Sequence, residues 1–559
     1  MKKSVLIITL IFSTILINHV NGCTNFLITK GATINGTPMI TYAADSHTLY
    51  GELYYWPAAN YKAGTLVDVN EWDTGKFLGK IPQVAHTYQV VGNMNEHQLA
   101  IGETTYGGRK ELASQAGAIV DYGSLIYMTL QRAKSSREAI KVMTDMVKDY
   151  GYASSGESFS IADKEEVWIL EMIGKGNGQK GAVWVALKIP DGYISGHANQ
   201  ARITQFPKDK PGECLFAPDV ITFAREKGWF KGTDSEFSFS DTYAPVEFGG
   251  ARACDARVWA GFNKVNKSMG QYGKYVMGQI TYDKNGYATN RIPLWIKPDA
   301  PLSLENVIGM MRDHFEGTVL DMTKDPGAGP NILPYRWRPM GFKVDSVSYC
   351  HERAISTQQT GFSFVAQSRP NLPDPIGGIL WFGVDDTYST CYMPIYCGIN
   401  EVPNSLKVGN GDFLTWSETS AFWIFNTVSN FCYLRYDDMI KDVQKVQSRK
   451  EKGFINEIGA VDQKALASWN KGDKAGTIKS LTAYSVNQVE TTVKEWKELS
   501  HYLIIKYKDG NVMKEKDGKF ERNEYGNLPV QPLHPSYPDW WYRLIIEKNK
   551  EHFKTVGND

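Results

Sequence analysis

The chain has 559 residues, 42% apolar and 22% charged, which is ample material for a large core. Lys plus Arg and Asp plus Glu number 61 each, so the net charge is zero and the basic footprint of a nucleic-acid binder is missing. Tyr (30), Phe (24) and Trp (15) are plentiful, which suits broad sheets around a big core but fixes no site.

Residues 1–22 read as a secretory signal. Lys2 and Lys3 form a positive start, "SVLIITLIFSTILI" an apolar run, and "NHVNG" ends in a small residue with Val20 third from the end. The run is shorter than the roughly 20 residues a spanning helix needs. Cleavage is therefore expected, leaving a secreted or periplasmic (extracytoplasmic) protein without stable membrane insertion. Cys23 follows directly. "CTNFLITK", a turn holding Asn35-Gly36, and "PMITYAADS" read as a β-hairpin. "HTYQVVGNMNEHQLAIGETTYGG" repeats strand, turn, strand. "GSLIYMTLQRAKSSREAIKVMTDMVKDYG" has helical spacing, with a second helix starting at Ser136.

"SFSIADKEEVWILEMIG" and "GAVWVALKIPDGYISGHANQARI" return to strands. Residues 205–300 carry short patterns with one helix near "DVITFAREKG". "SLENVIGMMRDHF" reads as a helix opened by Ser303 with Glu305 in its first turn. "GFSFVAQSRP", "GGILWFGVDD" and "CYMPIYCG" are strand-like, and from Ser417 onward two long helical patterns dominate. The order predicts a layered α+β fold. The helical C-terminal part is either a separate domain or a layer on the core.

Seven cysteines are present: Cys23, Cys214, Cys254, Cys350, Cys391, Cys397 and Cys432. With Cys23 set aside, six can pair in an oxidising compartment, or they are small buried residues. The C-x5-C of "CYMPIYC" is poor metal-ligand spacing. Removal of residues 1–22 would leave Cys23 with both a thiol and a free α-amine. That amine has an ordinary pKa of about 7.7–8.0, so it can take the thiol proton as sulfur attacks a carbonyl and return it to the leaving amine. A lipidated cysteine after the leader and a buried structural cysteine are the competing readings. A papain-like pairing with His47 or His197 fits poorly, because Cys23 begins a strand rather than a helix. Gly107-Gly108-Arg109 is too short for a phosphate loop, and the sequons at Asn35 and Asn266 are of a kind that arises by chance.

The run "CTNFLITKGATINGTPMITYAADS" resembles the start of the C69 dipeptidase family. "NMNEHQLAIGETTYGGR", "ESFSIADKEEVWILEMIG", "WVALKIPDGYISGHANQARI", "CYMPIYCGI" and "SAFWIFNTVSNFCYLRY" follow in family order, to about Tyr436. The resemblance implies a four-layer αββα N-terminal-nucleophile sandwich in residues 23–412, with a mainly helical region in 413–559. It implies a cysteine-type dipeptidase that cleaves short peptides through a thioester, without metal or organic cofactor. By the same resemblance Cys23 is the nucleophile, Asp45 holds its α-amine and Asn199 helps bind the oxyanion. Glu103, Thr104 and Thr105 fall beside the nucleophile, Glu103 being placed to read a substrate amine. Arg202 is placed to steady Asp45 or a substrate carboxylate. The sequence departs from many relatives at Tyr42, where they carry an Arg that would lower the thiol pKa; Arg202 or Arg109 would have to substitute. The rival readings are a non-peptide amidase of the same superfamily and a lipid-anchored surface binding protein.

Overall fold

The computed structural model describes residues 22–557, so the expected signal, apart from Gly22, lies outside the described residues. The opening hairpin pairs β1 (Asn25–Ile28) with β2 (Met39–Asp45), Leu27 opposite Ile40 and Thr24 opposite Ala43. Its turn needs Gly36, whose φ of +63° a side chain would strain. Side chains alternate along a strand. Phe26 therefore lies under the helix Ala256–Val265, against Phe262, while the Asn25 amide meets Ser160 Oγ of a second sheet at 3.3 Å. Cys23, two residues before Asn25, falls on that inner side.

Among the described residues, fifteen strands build two large antiparallel sheets, and four two-stranded sheets lie apart from them. We number the remaining strands β3 (Tyr55–Trp56), β4 (Val90–Val91), β5 (Met94–Asn95), β6 (Ala100–Tyr106), β7 (Gly156–Ala162), β8 (Val167–Gly174) and β9 (Ala182–Lys188). They continue as β10 (Ile194–His197), β11 (Cys214–Phe216), β12 (Trp295–Ile296), β13 (Thr360–Ser368), β14 (Gly378–Val384) and β15 (Met393–Tyr396). One sheet runs β12-β10-β1-β2-β13-β14-β15 and the other β11-β9-β8-β7-β6-β5-β4-β3. They pack face to face, closely at Gly102, where an added Cβ would lie 2.8 Å from Asn25 Nδ2 and 3.3 Å from Tyr42 Cβ.

Helices α1 (Tyr122–Leu130) and α2 (Ser136–Tyr150) cover the eight-stranded sheet. The second helix starts at Ser136 as the sequence predicts, with Ser135 as its cap. The seven-stranded sheet is covered by α3 (Ala256–Val265), α4 (Leu304–Met311) and the C-terminal helices α5 (Ala421–Leu434), α6 (Tyr436–Asn470) and α7 (Lys474–Lys506). This is the layered α+β architecture expected, with helices outside two stacked sheets. Ser303 caps α4 in a reciprocal box with Asn306.

The long helices pack on the core. Glu451 of α6 binds Arg312 and accepts the backbone N–H of Tyr392 at 2.9 Å. Asp462 accepts from Tyr396 Oη at 2.7 Å and pairs with Arg369. Trp496 of α7 is fully buried and stacks on Phe425 of α5 at 4.8 Å between centroids. All seven cysteines are unpaired, and all but Cys350 are buried, which is the small-buried-residue reading.

Trp496→Ala would remove the largest side chain between α5 and α7. It is expected to lower stability by about 3–5 kcal/mol, measured by chemical denaturation followed by circular dichroism.

Candidate active site

Cys23 lies just before β1, at the wall of a cavity of about 590 Å³. Its thiol is buried, with Sγ 3.8 Å from both Tyr42 Oη and Glu103 Oε1. Tyr42 comes from β2 and Glu103 from β6, where the pairing of β6 with β5 ends at Ala100. The Tyr42 hydroxyl donates to Glu103 Oε1. Asp45, Glu52, Asp73, Tyr54, Trp72 and Tyr122 line the cavity further out, and among the described residues no lining side chain is basic. Asp73 accepts from the Tyr122 hydroxyl at 2.7 Å.

The opposite side of Cys23 is cationic. Arg257, from α3, is wholly buried, and its guanidinium donates to the carbonyls of Gly22 (2.9 Å) and Cys23 (2.5 Å) and to Thr24 Oγ1 (2.9 Å). It also reaches the Ala198 carbonyl (3.0 Å) and Asn199 Oδ1 (2.8 Å). Arg353 donates to the Gly22 carbonyl and to Asp45 Oδ2, the latter at 2.6 Å. Thr360 donates to the other Asp45 oxygen at 2.6 Å. The carbonyl of the Gly22–Cys23 bond is thus held by two guanidinium groups, one of which also holds Asp45.

Burial pushes the Cys23 thiol well above its ordinary range, and the charges of Glu103 and Asp45 push it the same way. Burial raises Asp45 too, against the pull of Arg353 and Thr360. Glu157 of β7 lies beside Glu103 and accepts from Thr105 Oγ1 at 3.1 Å. Burial and the neighbouring Glu103 carboxylate hold Glu157 far above the carboxylate range. Glu103 Oε2 and Glu157 Oε1 are buried with no hydrogen-bond donor. One proton held between them satisfies both, as expected for two carboxylates that cannot both ionise.

Of the residues expected from sequence, Cys23, Asp45, Glu103 and Thr105 line the cavity. Asn199 sits behind it in left-handed conformation (φ +64°), its Nδ2 donating to the Thr105 carbonyl at 2.6 Å. Because Arg257 only donates, it fixes which way this amide points. Thr104 turns away, to His197 Nδ1 at 2.7 Å, and accepts the Asn199 backbone N–H at 3.2 Å. His197 is held between Thr104 and Ser160. Burial, aided by Arg202, keeps its imidazole down at about 3 and so neutral.

Arg202 does not steady Asp45. It pairs with Asp255 at 3.4 Å and donates to the Gly196 and Pro293 carbonyls, because the irregular stretch after β10 carries it under α3, over the Phe262 ring. Arg353 makes the pairing expected of it. Arg109 binds the Thr242 carbonyl and stacks on Trp229, so neither arginine replaces the one missing at Tyr42. Among the described residues, the cations bonded to the backbone at Cys23 or to Gly22 beside it are Arg257 and Arg353. Arg257 follows a π-helical turn, Gly250–Asp255, that hides helical spacing from the sequence. Arg353 sits in "CHERAIS", a segment with no periodicity at all.

The model of peptidase family C69 matches residues 22–449, more than three-quarters of the chain. The chain belongs to peptidase family C69. Among its relatives, a probable dipeptidase of Salmonella dublin is 23% identical over 404 residues, covering 67% of this chain and 81% of that protein. A probable dipeptidase of Latilactobacillus sakei is 22% identical over 514 residues, 87% of this chain and 93% of that one. The match to the C69 model begins one residue before Cys23, so it takes in the whole hairpin that carries the thiol and Asp45. It also covers Arg257 and Arg353 and ends within α6 of this C69 peptidase.

Two outcomes follow from the charges. Arg353→Met would strand Asp45 without its cation and is expected to destabilise by about 3–5 kcal/mol. Adding Asp45→Asn should recover much of that loss in a double-mutant cycle by urea denaturation; additive losses would mean the pair is not coupled. Glu157 is stabilised in its protonated form, so its contribution is complete below its ordinary pKa of 4.5 and is lost as pH rises through the raised folded value. Glu157→Gln cannot ionise and should lose less stability than the wild type between about pH 5 and pH 8, read from denaturation midpoints.

Proposed function

We propose that this C69 peptidase is an exported cysteine dipeptidase whose nucleophile and general base are the thiol and the α-amine of Cys23. The observation that carries this reading is the placement of one residue. Cys23 sits at a cavity wall with its thiol facing the cavity, while the carbonyl joining it to Gly22 is gripped by Arg257 and Arg353. Removal of the leader after Gly22 takes that carbonyl away and leaves the freed amine next to Arg257, Arg353 and the Asp45 that Arg353 holds.

The amine then takes the thiol proton, which a buried, anion-flanked thiol does not release unaided. Sulfur attacks the scissile carbonyl and the carbonyl electrons move onto oxygen. Asn199 has a second N–H on Nδ2, besides the one given to Thr105, with which to meet that oxyanion. Collapse of the intermediate expels the amine of the second residue, which takes the proton from the Cys23 ammonium. Water, deprotonated by the same α-amine, hydrolyses the thioester and releases the first amino acid. Asp45, fixed by Arg353 and Thr360, holds the ammonium form in place. That its relatives are probable dipeptidases supports a dipeptide as the substrate. The burial of Sγ supports chemistry over lipid attachment, since a diacylglyceryl chain would have to fill the cavity.

Intact-mass analysis of the exported protein is expected to show residues 1–22 missing and Cys23 unmodified, and Cys23→Ala should abolish dipeptide turnover with the fold intact. A form that keeps one extra residue before Cys23 loses the base and should be slower by about 10²–10⁴-fold. Full activity of that form, or a lipid mass on Cys23, would overturn the reading.

A further inference from the structure

The cavity is electrically one-sided. Arg257 and Arg353 are committed to backbone carbonyls, Asn199 and Asp45 on one side of Cys23. On the other side stands Glu103, 1% exposed, with Tyr42 on one oxygen and the proton shared with Glu157 on the other, so that the pair still carries one negative charge. Its Oε1 is 3.8 Å from the sulfur that must become an anion. A carboxylate there opposes the reaction as long as it stands alone, because like charges in a desolvated site disfavour each other's ionisation. The titratable groups facing it are Cys23, Tyr42 and Glu157, with Asp73 and Tyr122 further out. Apart from the α-amine that Cys23 gains on maturation, which the Asp45 side of the residue holds, none of these is a cation.

A substrate brings one. In a peptide with a free amino terminus, the α-nitrogen lies about 2.5 Å from the carbonyl carbon of the same residue, given standard bond lengths and angle. An attacking sulfur approaches that carbon to about 3–3.5 Å. A carboxylate 3.8 Å from the sulfur is therefore within ion-pair reach of the ammonium of the first residue, and of no other residue in the peptide.

Resting on the reading of Cys23 as nucleophile, we propose that Glu103, backed by Tyr42 and Glu157, binds the substrate's α-ammonium, and that this ion pair removes the charge that otherwise holds the thiol in check. Substrate binding and nucleophile activation are then one event. Cleavage falls after the first residue, and N-acylated peptides and acyl amides fail in kcat as well as in KM, because they bring no cation to Glu103. Here Tyr42 stands where relatives place an arginine; a fixed cation at that position would compete with the substrate's ammonium for Glu103.

The test compares three substrates of mature wild-type enzyme: a dipeptide, its N-acetyl form and its desamino form. Glu103→Gln is measured in parallel. Wild type should prefer the free dipeptide by about 10²-fold or more in kcat/KM. Glu103→Gln should lose that factor on the free dipeptide and little on the desamino form, so that the preference collapses. Alkylation of Cys23 by iodoacetamide supplies a readout independent of turnover: its rate should rise at lower pH in Glu103→Gln than in substrate-free wild type. Equal losses on all three substrates, an unshifted alkylation profile, or a wild type indifferent to the amine would overturn the proposal. The wild-type comparison decides even where the variant fails to fold. Cys23-dependent hydrolysis without amine preference would sink this inference and leave the dipeptidase reading standing.

Discussion

The guanidinium of Arg257 is the joint on which the site hangs. It has no exposure and sits among acceptors from three separate stretches of chain: Gly22–Thr24, Ala198–Asn199 and its own helix at Ala253. A buried charge is tolerated only when its donors are met, and here all of its nitrogens are engaged. The same bonds fix the start of β1, orient the Asn199 amide and place the carbonyl of residue 22. A lysine could supply the charge but not this forked geometry.

Around that joint the site divides its charge. Cations lie behind the backbone of Cys23, and carboxylates lie in front of its sulfur. The cations hold structure and keep Asp45 in place. The carboxylates, with burial, leave the thiol reluctant to ionise. Tyr42 contributes a neutral donor to Glu103 and leaves that carboxylate's charge for an incoming ligand.

The C-terminal helices contribute at a distance. They close the far edge of the seven-stranded sheet through Glu451, Asp462 and Ser485, and so stiffen β14 and β15. Of these, β14 pairs with β13, which in turn pairs with β2 and whose Thr360 holds Asp45. Beyond Lys506 the chain runs out in short strands and the helix α8 (Asp539–Phe553), none of whose residues is buried.

Local signals were enough for much of this. The Asn35-Gly36 turn, alternating strands and the Ser136 and Ser303 helix starts specify the layers and the hairpin that Cys23 heads, because each depends on residues near one another in the chain. What surrounds Cys23 depends on residues 80 or more positions away: Glu103, Arg257 and Arg353. An arginine carries no mark of its partner in a sequence, so Arg202, in the family motif, looked better placed than Arg353, in a stretch without period. Only the stacking of two sheets, and the burial it enforces, decides which charges meet. Sequence determined where the sulfur is; tertiary structure decided that cations stand behind it and carboxylates before it, since burial makes pairing compulsory and pairing is a property of space.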